Sequence, residues 1–106
     1  EETPPLLEDA AHCAYLLPDA HWARRVGGVF ANALAQAEPD RAHALLTQQS
    51  SGDLVVSVRA PLNAPEGADQ LCLGFETGGG RKAAAGINRL PARDREAFLA
   101  AFLAAF

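Results

Sequence analysis

Residues 42–60 read AHALLTQQSSGDLVVSVRA, and the fold class turns on them. In the second half, Leu54, Val56 and Val58 fall on one face of an extended segment and Val55, Ser57 and Arg59 on the other. That period of two is what a half-buried strand requires. Residues 42–48 supply the opposite arm, and Ser50-Ser51-Gly52-Asp53 has the composition of a turn, so the spacing predicts a β-hairpin. Upstream, residues 20–37 carry Trp22, Val26, Val29 and Ala33 at helical spacing, with Phe30 and Leu34 beside them. Asp19 stands at the N-cap position of this helix, and Glu38-Pro39-Asp40 ends it. Gly27 and Gly28 lie inside it, where each costs up to about 1 kcal/mol against alanine; close packing on a sheet accounts for them. Before the helix, HCAYLL (12–17) is a short apolar run closed by Pro18 and reads as a buried strand.

Downstream of the hairpin, Pro61 and Pro65 bracket a loop. Residues 68–76 (ADQLCLGFE) place Leu71, Cys72 and Phe75 at helical spacing, and 83–90 (AAAGINRL) read as a further strand. Pro91 suits the first position of a last helix running to Phe106, with Phe98, Phe102 and Phe106 at i, i+4, i+8 and Leu99 and Leu103 alongside. The expected order is β-α-β-β-α-β-α: an α/β (α+β mixed) single domain, a mixed β-sheet with helices covering it and no internal repeat. Residues 1–11 are acidic and hold Pro4 and Pro5, so a linker or disordered end is expected there, with 12–106 as the domain.

Composition agrees with one domain. A chain of 106 residues buries roughly 65% of its surface on folding. With 49% apolar and 21% charged residues, wholesale disorder is excluded. Apolar runs are too short for a membrane-spanning helix, and no signal-peptide pattern opens the chain; a cytoplasmic protein with no membrane partner is expected. Two cysteines 59 positions apart make neither a disulfide framework nor a CxxC metal motif. The chain begins with Glu1 and holds no methionine, from which an excised C-terminal piece of a longer protein is expected. Its 23 alanines, and eight arginines against one lysine, look like coding bias.

Net charge is −4, unevenly placed. Residues 1–58 hold eight acidic and three basic groups, a balance of −5. Residues 78–95 hold Arg81, Lys82, Arg89, Arg93 and Arg95 against Asp94 alone, a balance of +4. This pattern argues against non-specific wrapping of long duplex DNA and permits a local anion site. The segment Gly78-Gly79-Gly80-Arg81-Lys82 is the strongest candidate. Glycines let backbone amides approach a ligand, consecutive amides in such turns form anion-binding nests, and the two cations add charge. The spacing is neither GxxxxGK[ST] nor GxGxxG.

GGGRKAAAGI at 78–87 resembles the GGGH-x-x-AAG signature of the DHH-associated C-terminal domain, the substrate-binding domain of DHH phosphoesterases. These include single-strand exonucleases, oligoribonucleases and cyclic-dinucleotide phosphodiesterases, and related copies end alanyl-tRNA synthetases. Ser57-Val58-Arg59 is similar to that family's S-x-R strand, and the short helix before the glycines also fits, so the resemblance spans roughly residues 12–106. It implies that Gly78, Gly79, Gly80, Ser57 and Arg59 bind a nucleotide or phosphate across a cleft from a metal site in another domain. Arg81 stands where the family has histidine: a permanent, bidentate cation replaces a titratable group, which keeps anion binding and loses proton transfer. The family takes its metals, Mn²⁺ among them, from DHH and DxD motifs, and this chain has neither. The resemblance therefore implies a hydrolase whose catalytic N-terminal domain lies outside these residues, no catalytic residue or metal ligand within them, and short single-stranded nucleic acid or a nucleotide as ligand.

Other residues read as structural. Cys13 and Cys72 are expected as buried hydrophobes, His12 and His43 as lone structural or solvated histidines, and Arg24-Arg25 as a solvated helix face. His21 and Trp22 could stack a base, but Trp22 fits the apolar stripe. Asp94 and Glu96 complement the dipole of the last helix. The alternative function is a protein-interaction or dimerisation module, a homodimer among its forms, using the apolar C-terminal helix with the glycines serving only as a turn.

Overall fold

The computed structural model describes residues 5–19 and 21–106, with side chains described from Val29 onward in the first helix. The expectations for the Trp22–Val26 stripe, the Gly27–Gly28 packing, His21, Arg24 and Arg25 lie outside the described residues. The strands are β1 (Leu7–Glu8), β2 (His12–Leu17), β3 (Ala42–Gln48), β4 (Leu54–Arg59), β5 (Gly78–Gly80) and β6 (Ala84–Leu90). The helices are α1 (His21–Ala37), α2 (Ala68–Leu73) and α3 (Arg95–Ala105), the last preceded by a 3₁₀ turn at Ala92–Asp94.

The six strands form one mixed sheet in the order β1-β2-β3-β4-β6-β5. β2 and β3 are parallel, joined by α1 as a crossover, and every other neighbour is antiparallel. The β3–β4 hairpin is the predicted one, with Leu45 opposite Ser57 and Gln48 opposite Leu54. Two short strands go beyond the predicted order. Leu7–Glu8, inside the segment expected as a linker, pairs with β2, and Asp9 closes the turn between them. Its Oδ1 accepts from the N–H groups of Ala11 and His12 and contacts His12 Nδ1, each at 2.8 Å.

The sheet is covered on both faces. Ala14, Ala44, Leu46, Val56, Val58, Ile87 and Leu90 point to one face and pack with Leu71 and Cys72 of α2 and Phe98, Leu99 and Phe102 of α3. Phe98 and Phe102 are fully buried. On the other face Leu17 and Leu45 pack with Ala31, Phe30 and Leu34 of α1. This corrects the predicted stripe: Val29 is 73% exposed and Ala33 is exposed, so the helix presents Phe30, Ala31, Leu34 and Ala35 to the sheet. The register is set by the larger side chains, Phe30 and Leu34 one turn apart. α2 also stops earlier than predicted, at Leu73, and Phe75 beyond it packs against Phe98 at 5.8 Å between ring centroids.

The glycine triplet is an edge strand, not a turn. α2 lies so close to β5 that a Cβ at Gly78 would fall 1.8 Å from the carbonyl oxygen of Cys72. Gly80 has φ +143° and would meet Ala85 at 2.5 Å. No L side chain fits either position.

Candidate functional site

Arg59 ends β4 on the α1 side of the sheet, opposite His43 on β3 and Ala84 on β6. Because Ser57 and Arg59 are two residues apart on one strand, they share a face, and Arg59 Nη1 donates to Ser57 Oγ at 2.9 Å. Nη1 also donates to the Val58 carbonyl at 3.3 Å, and Nε donates to Asn32 Oδ1 of α1 at 3.0 Å. All three acceptors are neutral. Burial draws the Arg59 guanidinium below the usual arginine range, and the nearby charge of Arg81 adds to the shift. Arg59 stays protonated at neutral pH. Arg59 is thus seated on acceptors that supply no counter-charge, within the field of a second arginine.

Arg81 and Lys82 form the exposed tip of the β5–β6 hairpin. The Arg81 N–H donates to the Ala84 carbonyl at 2.8 Å, and the Lys82 carbonyl accepts from Ala68 N–H at 3.0 Å, tying the tip to the start of α2. The Gly78 N–H donates to the Phe75 carbonyl at 3.0 Å. Of the amides expected to line a nest, those of Gly78 and Arg81 are therefore spent on the protein. The contribution of the glycines is shape. Gly79 pairs with Gly86, which pairs with Ser57, so a row with no side chain beyond Ser57 crosses three strands. α1 lies over β3 and β4, and Gly79, Ala84 and Gly86 stay part-exposed beside it. The result is a flat, open floor with Arg59 and Arg81 at one end.

Sequence reasoning named Ser57, Arg59, Gly78, Gly79, Gly80, Arg81 and Lys82; strand pairing lines up Ser57 with Gly79 through Gly86, and Arg59 lies beside them, Arg81 and Lys82 stand at the hairpin tip, Gly80 pairs with Ala85, and Gly78 packs against α2 on the opposite side. It missed Asn32, which reads in sequence as one more polar helix position. It also missed the break in β6, where Asn88 and Arg89 are both exposed between buried Ile87 and Leu90. The pairing shifts there, with one β4 residue, Val55, set against both.

The remaining reactive side chains are committed elsewhere. Burial pushes the Cys72 thiol up to about 11 and raises that of Cys13 as well. His12 Nδ1 lies 2.8 Å from Asp9, and buried His43 contacts Glu38 Oε1 through Nε2 at 3.2 Å. Among the described residues, no group of three or more His, Cys, Asp or Glu side chains is placed to hold a metal ion. These residues do not fit the divalent metal of a phosphoesterase. Phe98 and Phe102 of α3 are turned into the core of this same domain, while Leu103, on the helix that the interaction-module alternative uses, is 42% exposed. Among the described residues, no helix is long and apolar enough to cross a membrane.

At the level of sequence, the chain matches no family model and none of the curated proteins. Among solved structures it is similar to the pGpG-specific phosphodiesterase PggH from Vibrio cholerae, with a TM-score of 0.60 and 11% identity over 94% of this chain. It spans 36% of that protein's length. The likeness is one of fold: this chain has the architecture of part of a phosphodiesterase.

Proposed function

We propose that this chain is the substrate-binding domain of a DHH-type phosphoesterase, and that Arg59 and Arg81 grip a phosphate of a short single-stranded nucleic acid or nucleotide. The observation that carries the proposal is the Arg59 guanidinium, held on Ser57 and Asn32 beside a second arginine and, among the described residues, with no anionic acceptor. A fold shared with part of a phosphodiesterase supports it, as does the GGGRKAAAG segment. Hydrolysis is assigned to a catalytic domain outside these residues, which supplies divalent metal, Mn²⁺ in this reading, and activates water. Within this domain, the flat floor admits the ligand and the arginines fix its phosphate. Arginine at 81 makes this a binding contact and not a proton donor.

The test is a titration of the chain with a short 5′-phosphorylated oligonucleotide at low salt, followed by amide NMR. Shifts should cluster at Arg59, Gly79, Arg81 and Asn32 and weaken as salt rises. Arg59→Gln should weaken binding roughly tenfold or more, in line with losing hydrogen bonds to a charged group. Undiminished affinity in Arg59→Gln would overturn the assignment.

A further inference from the structure

Arg89 lies near the far end of β6 from the hairpin tip that carries Arg81. Five residues of extended chain separate Ala84 from Arg89, roughly 16 Å. Regular alternation would give Arg89 the same side as Ile87 and bury it against α2 and α3. The break in pairing at Val55 prevents this and leaves Asn88 and Arg89 both outward. The Arg89 backbone is fixed there by Thr77, whose Oγ1 accepts from Arg89 N–H at 3.0 Å and donates to the Arg89 carbonyl at 3.2 Å. Thr77 itself takes a left-handed conformation, φ 65°. The side chain is also positioned: Nε makes an ion pair with the Asp53 carboxylate, donating to Oδ2 at 2.8 Å, while the Arg89 side chain remains 71% exposed. Between the two ends run the small residues Ala84, Gly86 and Gly79 with Ser57, and then Val55 and Asn88, none of them charged.

We infer that Arg89 is a second phosphate contact, so that this face of the sheet selects a nucleotide chain of several residues over a single nucleotide. The inference rests on Arg59 and Arg81 holding the first phosphate. At the 3.4 Å rise per nucleotide of a stacked strand, roughly 16 Å corresponds to about five steps between phosphates, and fewer when the chain is stretched. A mononucleotide cannot reach both ends. A tetranucleotide, whose four phosphates span three steps, reaches both when it is stretched beyond its stacked length.

The experiment compares thymidine monophosphate with the 5′-phosphorylated tetrathymidylate, and the matching uridylates, on the full 106-residue chain. Thymine and uracil stack weakly, so phosphate contacts dominate. The wild type should prefer the tetramer. Arg89→Gln should cut that preference roughly tenfold and lower the salt dependence of tetramer binding by about 0.7 in log–log slope, the value of one phosphate contact on a single strand. Arg89→Lys should keep the slope, and Arg93→Gln, the same loss of charge outside the floor, should leave the preference alone. Equal losses in Arg89→Gln and Arg93→Gln would overturn the inference, because net charge would then explain both. An unchanged preference in Arg89→Gln, with Arg59→Gln still defective, would overturn it and leave the first site standing. Failure of the wild type to bind any of the four ligands would overturn both.

Discussion

Replacing Gly78 by alanine asks whether the glycine triplet is where the structure puts it. The new Cβ would lie 1.8 Å from the Cys72 carbonyl oxygen, 2.6 Å from its carbon and 3.0 Å from the Phe75 oxygen. These are backbone atoms, so no rotamer change relieves the overlap, and α2 must lift from β5 by about 1 Å or more. Lifting it uncovers Leu71 and Cys72, which α2 buries. Overpacking costs typically 1–3 kcal/mol, and a backbone clash belongs at the upper end, about 3 kcal/mol. At 4–8 °C per kcal/mol for a domain of this size, Tm should fall by roughly 12–24 °C. Gly79→Ala is the matched control, since its Cβ meets only Leu73 Cδ2 at 4.0 Å. It should change Tm by a few degrees at most, because the lost chain entropy of glycine works in its favour. Thermal unfolding followed by circular dichroism separates the two. Equal stability of both variants would refute the packing of α2 on β5, and with it the reading of the triplet as a strand.

Four further outcomes are expected. Asn32→Ala should weaken oligonucleotide binding roughly three- to tenfold without altering Tm, because Ser57 still holds Arg59 while the Nε contact is lost; calorimetric titration reads the affinity and Arg59→Gln supplies the floor of the scale. Cys13 and Cys72 should both resist alkylation near neutral pH in the native state and react on unfolding, since burial disfavours their thiolates. A Cys72 thiol raised to about 11 binds its proton more tightly folded than unfolded, so its contribution is complete below pH 9 and is lost as pH climbs from 9 towards 11. Urea midpoints should fall over that window and fall less in Cys72→Ala. Asp9 runs the other way: the His12 contact and two backbone N–H groups lower its carboxyl, so its support is present above the ordinary carboxylate range and is lost as pH falls through it, a titration visible by carbon NMR and absent in Asp9→Asn.

Legibility in the sequence follows the side chains. The β3–β4 hairpin was readable because Leu54, Val56 and Val58 alternate with Val55, Ser57 and Arg59 around a Ser-Ser-Gly-Asp turn, and β2 because a six-residue apolar run ends at proline. β5 was not readable. Three glycines carry no alternation, and the reason they form a strand lies in α2, which contacts them only in three dimensions. β1 is two residues long and owes its place to Asp9, a capping residue whose partners appear only after the chain turns. The first helix was found but rotated, because Val29 and Phe30 are equally apolar on a hydropathy pattern while only Phe30 reaches Tyr15. Within the site, Ser57 and Arg59 share a strand and were found together. Asn32 comes from another element, and no periodicity announces the residue that a helix will lend to a strand.

The glycines and the arginines bear differently on function. Gly78 and Gly80 are required by packing and by φ, and Gly86, whose Cβ would lie 2.7 Å from the Val56 carbonyl oxygen, is required by the sheet. A fold of this kind would need glycine at these positions whether or not it bound anything, so the glycines alone cannot separate a binding domain from an inert one. Arg59 can. A strand end does not need a guanidinium drawn partly out of water, seated on a hydroxyl and a carboxamide, and set beside another guanidinium. That arrangement costs desolvation and like-charge repulsion while its three acceptors return only neutral hydrogen bonds. The proposed phosphate between Arg59 and Arg81 would offset both costs, and the row of small residues beside it would leave room for a nucleotide chain.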